Sequence, residues 1–142
     1  MRALLDVNVL IALFDPIHIH HERAHAWWAV NRSNGWASCP ITENGVARIL
    51  SQPSYPGARS TAGAMHLLEV FAEQNDHEFW SDDISLLDRQ RFNRDHMVGP
   101  KQLTDIYLLG LAIENGGVFA TFDRAIPRNA ANGADTRNLV II

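Results

Sequence analysis

Residues 2–14, RALLDVNVLIALF, join two apolar runs through an aspartate. Arg2–Leu5 is too short for a helix and ends at Asp6; Val9–Phe14 stays apolar as far as Asp15-Pro16, where the residue before proline is pushed out of the helical region. The segment predicts a strand, an acidic residue at its carboxyl end, and a short helix. Residues 118–123, VFATFD, repeat the first half of that arrangement, with a strand over Val118–Thr121 and Asp123 just past it.

The intervening sequence alternates in the same way. Ala24, Trp27, Trp28 and Val30 predict a helix over His20–Asn31, closed by Asn34-Gly35. Trp36–Cys39 reads as a strand ended by Pro40, and Thr42 as the N-cap of a helix through Leu50. Met65, Leu68, Phe71 and Ala72 mark one face of a helix over Thr61–Asn75. Glu78–Ser81 reads as a strand, Ser81 or Asp82 as the start of a short helix through Arg89, and Gln90–Pro100 as irregular. Lys101–Asn115 is apolar nearly all round, which predicts a buried helix stopped at Gly116-Gly117, and Leu139–Ile142 makes a last strand. Strands alternating with helices predict an α/β fold: a parallel β-sheet flanked by helices on both faces, with residues 1–142 in one domain. Ligands of such sheets sit beyond the carboxyl ends of the strands, at a topological switch point. If the strands before Asp6 and Asp123 are neighbours, both carboxylates open on one crevice.

Composition limits what the crevice can hold. A net charge of −4 argues against a general basic nucleic-acid binder, so a polyanion has to be met by metal ions or by local groups of cations. Arg89, Arg91 and Arg94 with Lys101 form one such group, and Arg124 and Arg128 another; a solvated face is the plainer use of both. The single cysteine, Cys39, excludes an internal disulfide and points to a cytoplasmic protein. Asp6 and Asn8 interrupt the opening apolar run, which speaks against a signal peptide, and no stretch approaches the roughly 20 apolar residues that span a bilayer. No membrane role is expected.

Two further carboxylates stand out. Glu43 is in phase with Val46, Ala47 and Leu50, and Asp105 lies in the first turns of the most apolar helix. Each alone can be a helix N-terminal acid favoured by the dipole. Together with Asp6 and Asp123, however, they all fall at strand ends or helix starts, the same edge of such a fold. Crowded carboxylates raise one another's pKa unless a cation offsets them, and oxygen ligands suit magnesium or manganese. A pair of such ions can orient a phosphodiester and activate water.

LLDVNVL (residues 4–10), PITE (40–43), LTDIYL (103–108) and ATFDR (120–124) resemble, in order and spacing, the motifs of the PIN-domain nucleases, above all the VapC toxins of bacterial toxin–antitoxin pairs. The resemblance covers essentially the whole chain. It implies a metal-dependent endoribonuclease with Asp6, Glu43, Asp105 and Asp123 as the catalytic, Mg2+- or Mn2+-holding acids. Asn8 and Thr121 would support them by hydrogen bonds, although Asn8 also suits a helix N-cap and Thr121 a plain strand position. Arg89, Arg91, Arg94, Lys101 and Arg124 would flank the site as RNA contacts. The partners implied are an RNA substrate, a VapB-like antitoxin and a second copy of the chain in a homodimer.

Other readings compete. His21-Glu22-Arg23-Ala24-His25 matches H-E-x-x-H, the helical zinc signature of metalloproteases, although a short pattern arises readily by chance in a stretch that also holds His18 and His20. A nucleophilic-aspartate phosphatase would want D-x-D, and Asn8 holds the second position. A receiver-type domain would want a lysine after a late strand, and Lys101, the one lysine, precedes a helix. A non-catalytic PIN module would have to carry a crowded acidic cluster with no ion to offset it.

Overall fold

The computed structural model describes all of residues 1–142. Five strands, β1 (Ala3–Leu5), β2 (Trp36–Ser38), β3 (His77–Phe79), β4 (Val118–Thr121) and β5 (Leu139–Ile141), pair in parallel in the order β3-β2-β1-β4-β5. The chain leaves β1 toward β2 on one side and returns to β4 on the other, so the switch point lies between β1 and β4.

Helices α1 (Val7–Phe14), α2 (His21–Asn31), α3 (Pro40–Leu50) and α4 (Thr61–Gln74) pack on one face, and α5 (Leu103–Glu114) on the other. The strand period of two sorts the core between them. Ala3, Leu5, Trp36, Val118 and Ala120 join the first cluster with Val9, Leu10 and Trp28; Leu4, Ala37 and Phe119 join the second with Ile106, Leu108 and Leu109. Central strand β1 is buried throughout, as expected of a parallel strand covered on both faces.

Several element ends differ from those the sequence suggests. α1 starts at Val7, with Asp6 as its N-cap residue. Helix α3 starts at Pro40: proline's missing N–H costs nothing at the first helical position, and Thr42, two residues on, accepts a hydrogen bond from the Cys39 N–H at 3.0 Å. Asn8 is therefore an exposed residue of the first turn of α1 and caps nothing. The helix expected over 81/82–89 does not form. Ser85 and Asp88 instead accept hydrogen bonds from the N–H groups of Leu87 and Gln90, two residues on, which is how such side chains compete with helix.

Gly116-Gly117 ends α5 as the sequence suggests. Gly116 has φ 67°, its N–H reaches the Ile113 carbonyl, and the Gly117 N–H reaches that of Ala112, so both carbonyls are satisfied as the chain turns into β4. Gly117 is also sterically fixed: a Cβ there would lie 2.6 Å from the Arg2 carbonyl oxygen and 2.5 Å from the Trp80 ring. Gly117→Ala should accordingly lower stability by about 1–3 kcal/mol, measured as a reduced urea midpoint; an unchanged midpoint would mean that β1 and Trp80 give way freely.

Candidate active site

The parallel register Leu5↔Ala120 sets the end of β1 beside the end of β4. One residue on, the buried Thr121 hydroxyl donates to Asp6 Oδ2 at 2.8 Å, and the same hydroxyl oxygen accepts the Asp123 N–H at 3.1 Å. One threonine thus ties both acids to the sheet. Asp6 is only 7% exposed. Its side chain makes no N-cap hydrogen bond to α1, and one of its oxygens is held by Thr121.

Asp105 enters from the other face, in the first turn of α5, where the helix dipole favours a negative charge. Burial pushes its pKa up to about 7, and the charges of Asp6 and Asp123 push the same way. Asp6 is also raised, mainly by burial and slightly by Asp123, against the lowering hydrogen bond from Thr121. The three carboxylates therefore feel one another.

Glu43 stands apart. It lies in the first turn of α3, and its Oε1 accepts the Ser38 hydroxyl at 2.6 Å, while His77 Nε2 lies 2.8 Å from the same hydroxyl. Those partners are on β2 and β3, so the carboxylate faces away from β4, into a cavity of about 480 Å³ walled by Trp36, Leu68 and Ala72. It is not among the charges acting on Asp105. The indole N–H of Trp36 in this cavity is the one buried side-chain polar atom with no partner.

No three His, Cys, Asp or Glu side chains close into a ready coordination shell. The donor set nevertheless suits a hard divalent ion. Magnesium keeps several waters and is held by one or two carboxylates plus substrate oxygens, so a partly open set of mutually repelling carboxylates is what it needs. Asn8 lines the crevice with Asp6, and so do Asn44, Arg48 and Thr104. Arg48 is missed when cations are sought in runs; its signal in the sequence is the i, i+4 spacing from Asn44, off the apolar face of α3.

The expected arginine group divides. Arg91 pairs with Asp88 and with Glu114, at the far end of α5 from Asp105, roughly 14 Å away by helical rise. It serves the fold at that end and does not flank the carboxylates. Arg89 and Arg94 line a separate hollow with Phe92, Asn93 and Asn132. Lys101 and Arg124 are exposed and form no ion pair, and Arg124 directly follows Asp123.

The H-E-x-x-H histidines have another use. His21 Nδ1 lies 2.7 Å from the Ala12 carbonyl and His25 Nε2 2.9 Å from that of Leu13, so each ring donates to a carbonyl in the last turn of α1 that lacks a helical partner. The zinc-protease reading is corrected here: these rings cap α1.

The PIN domain family model matches residues 3–132. Ribonuclease VapC44 of Mycobacterium tuberculosis (strain ATCC 25618 / H37Rv) is 49% identical over 142 residues, covering 100% of each chain. Ribonuclease VapC39 of the same strain is 42% identical over 134 residues, 94% of this chain and 96% of that one. The fold is similar to a crystal structure of VapBC2 from Rickettsia felis bound to a promoter DNA fragment, with a TM-score of 0.61 and 13% identity, covering 100% of this chain and 98% of that one.

The raised Asp105 pKa has a consequence for the metal-free chain. Folded Asp105 keeps its proton up to about pH 7, whereas an unfolded aspartate loses it near pH 4, so the native state holds the extra proton between those values. Stability should fall as pH rises through that window and level off above it. Asp105→Asn should flatten the fall and melt at or above the parent at pH 8 in chelator. If the variant melts well below the parent, Asp105 is a structural partner and not a repelled charge.

Proposed function

We propose, from the premise that the chain belongs to the PIN domain family, that it is a metal-dependent endoribonuclease toxin that hydrolyses RNA phosphodiester bonds and is neutralised by a VapB-like antitoxin. What supports this reading is that Thr121 ties Asp6 and Asp123 together at the switch point and that both of their charges act on Asp105, which is pushed up to about 7. Full-length similarity to Ribonuclease VapC44 supports the substrate class, and the VapBC2 assembly supports the partner.

In this reading Asp6, Asp105 and Asp123 hold Mg2+ or Mn2+, and bound there the ions supply charge neutralisation and an activated water for attack on phosphorus. Thr121 fixes the Asp6 carboxylate and, through the Asp123 N–H, the start of the loop that carries Asp123. Asp105 gives up its proton when a cation enters, since ligands bind deprotonated. Glu43 is the outlying member: held by Ser38, it would have to turn from that hydroxyl toward the crevice to join the set. Asn8 and Arg48 line the way in, and Arg48 and Arg124 offer cations to the phosphate backbone on an otherwise acidic chain.

The antitoxin would present an arginine to the carboxylates, because a planar guanidinium pairs bidentately and keeps its charge at any working pH. Homodimerisation is part of the same proposal. Co-expression with a cognate VapB-like antitoxin should give a complex with suppressed cleavage; free purification in high yield with full activity and no growth arrest would remove the antitoxin from the account.

Cleavage of RNA should require Mg2+ or Mn2+, stop in a general chelator and continue in a zinc-selective one. Asp6→Asn, Asp105→Asn and Asp123→Asn should each reduce it to background. His21→Ala should keep the activity and lose thermal stability, since it removes a cap from α1. Zinc-dependent peptidase activity that disappears in His21→Ala would contradict the proposal.

A further inference from the structure

Beside the carboxylates lies a row of planar groups that the cleavage chemistry leaves unused. Phe122 sits between Thr121 and Asp123 in the loop after β4, and its ring is half-buried against the α1–α4 core. The His20 ring packs on it with centroids 4.6 Å apart and planes 34° apart, and His18 continues the row at 5.7 Å from His20. The Arg23 guanidinium, in the first turn of α2, stands over the same Phe122 ring at 5.6 Å. Phe122 follows β4 and Arg23 is on α2, while His18 and His20 lie in the turn between α1 and α2, so the row joins the sheet edge to the first two helices.

What makes the row more than packing is what it leaves free. Arg23 is exposed and takes part in no ion pair, unlike Arg2, Arg91 and Arg137, whose charges are spent on neighbouring acids. Neither the His20 ring nor the Arg23 guanidinium hydrogen-bonds to another group of the chain; the bonds of His20 are made by its backbone, the N–H to His18 Nδ1 and the carbonyl from the Ala24 N–H. Arg23 is held over the ring of Phe122, the residue before Asp123, by cation–π attraction, which leaves its N–H groups free for a ligand. Single-stranded nucleic acid is bound by this combination, with bases stacking on aromatic rings and guanidinium planes while the backbone is drawn to positive charge.

We propose that His20 and Arg23, carried on the Phe122 ring, form a stacking subsite for an unpaired base of the RNA strand next to the phosphate that is cleaved. The subsite rests on the ribonuclease reading and adds to it the substrate's form: a single-stranded segment whose base beside the cleavage point is turned out onto the protein. Duplex RNA, whose bases are stacked on one another, cannot offer that face.

The test uses the full chain and a short fluorescent single-stranded RNA that the parent cleaves. Binding is measured by anisotropy in an Asp105→Asn background, and cleavage kinetics in the otherwise unaltered chain. His20→Ala and Arg23→Ala should each weaken binding and raise KM on the order of ten-fold, the size of one lost base stack, with kcat nearly constant. His20→Trp should restore most of the affinity, because a larger ring keeps the stacking face. Arg23→Lys should restore little, because it keeps the charge and loses the plane. Arg137→Ala, at the opposite edge of the sheet and paired with Asp135, is the charge-matched control and should behave as the parent. Thermal melts within a few degrees of the parent ensure that the variants are folded; His20→Trp and Arg23→Lys keep the question open to an answer if an alanine variant is not.

Parental KM and affinity in folded His20 and Arg23 variants would overturn the subsite while leaving the ribonuclease reading intact. The subsite is equally overturned if they bind RNA normally and only lose inhibition by the antitoxin, since the row would then be a protein contact. A parent chain that neither binds nor cleaves RNA would instead contradict the ribonuclease reading and remove the subsite with it.

Discussion

The pairing of β1 with β4, in the register Leu5↔Ala120, is the constraint on which the rest of the molecule depends. Side chains alternate along a strand, so a slip of one residue would send Leu4 and Phe119 to the wrong core and turn the Thr121 hydroxyl away from Asp6. The apolar burial on both faces fixes the register, and the register then places two acids side by side. Helix α5, docked across Leu4 and Phe119, adds Asp105 from the opposite layer. The site is thus assembled by the same packing that makes the core, without a loop having to find its place.

Electrostatics explain how an acidic chain can be matched to a polyanion. The starts of α1, α3 and α5 lie at the carboxyl edge of the sheet, and their dipoles partly offset the carboxylates beside them. Burial first, and the neighbouring carboxylates second, raise the pKa of Asp6 and Asp105, so in the metal-free chain these acids hold on to their protons more than free carboxyls do. Arg48 lines the crevice itself and takes part in no ion pair, so its charge is free to meet a phosphate.

The positions of Asp6 and Asp123 at the carboxyl ends of β1 and β4 were legible in the sequence because a strand end is a local signal: an apolar run stops, an acid follows, and the topology rule says where that edge points. Asp105 was legible by its misplacement at the start of an apolar helix. Glu43 was legible as an acid at a helix start, but the direction of its carboxylate was not, because that depends on β2 and β3 bringing Ser38 and His77 together from 39 residues apart. The absent helix at 81–89 failed for the opposite reason. Ser85 and Asp88 within it satisfied their own turns and gave the segment an alternative to helix. The histidines of the H-E-x-x-H pattern show a further limit, since only the packing of α2 on α1 reveals that their ring nitrogens meet carbonyls. The His20–Phe122–Arg23 row joins residues about a hundred positions apart, and no local pattern announces it.

The central claim is that Asp6, Asp105 and Asp123 hold a divalent ion in place of mutual repulsion. It is tested most directly by calorimetric titration of Mn2+ into the metal-free chain at pH 6, in two buffers of different ionisation enthalpy. The account predicts saturable binding accompanied by release of protons, because Asp105 enters the titration still carrying one, and both the binding and the release should weaken sharply in Asp105→Asn. Binding of equal strength in the parent and in Asp105→Asn, with no proton released by either, would contradict it.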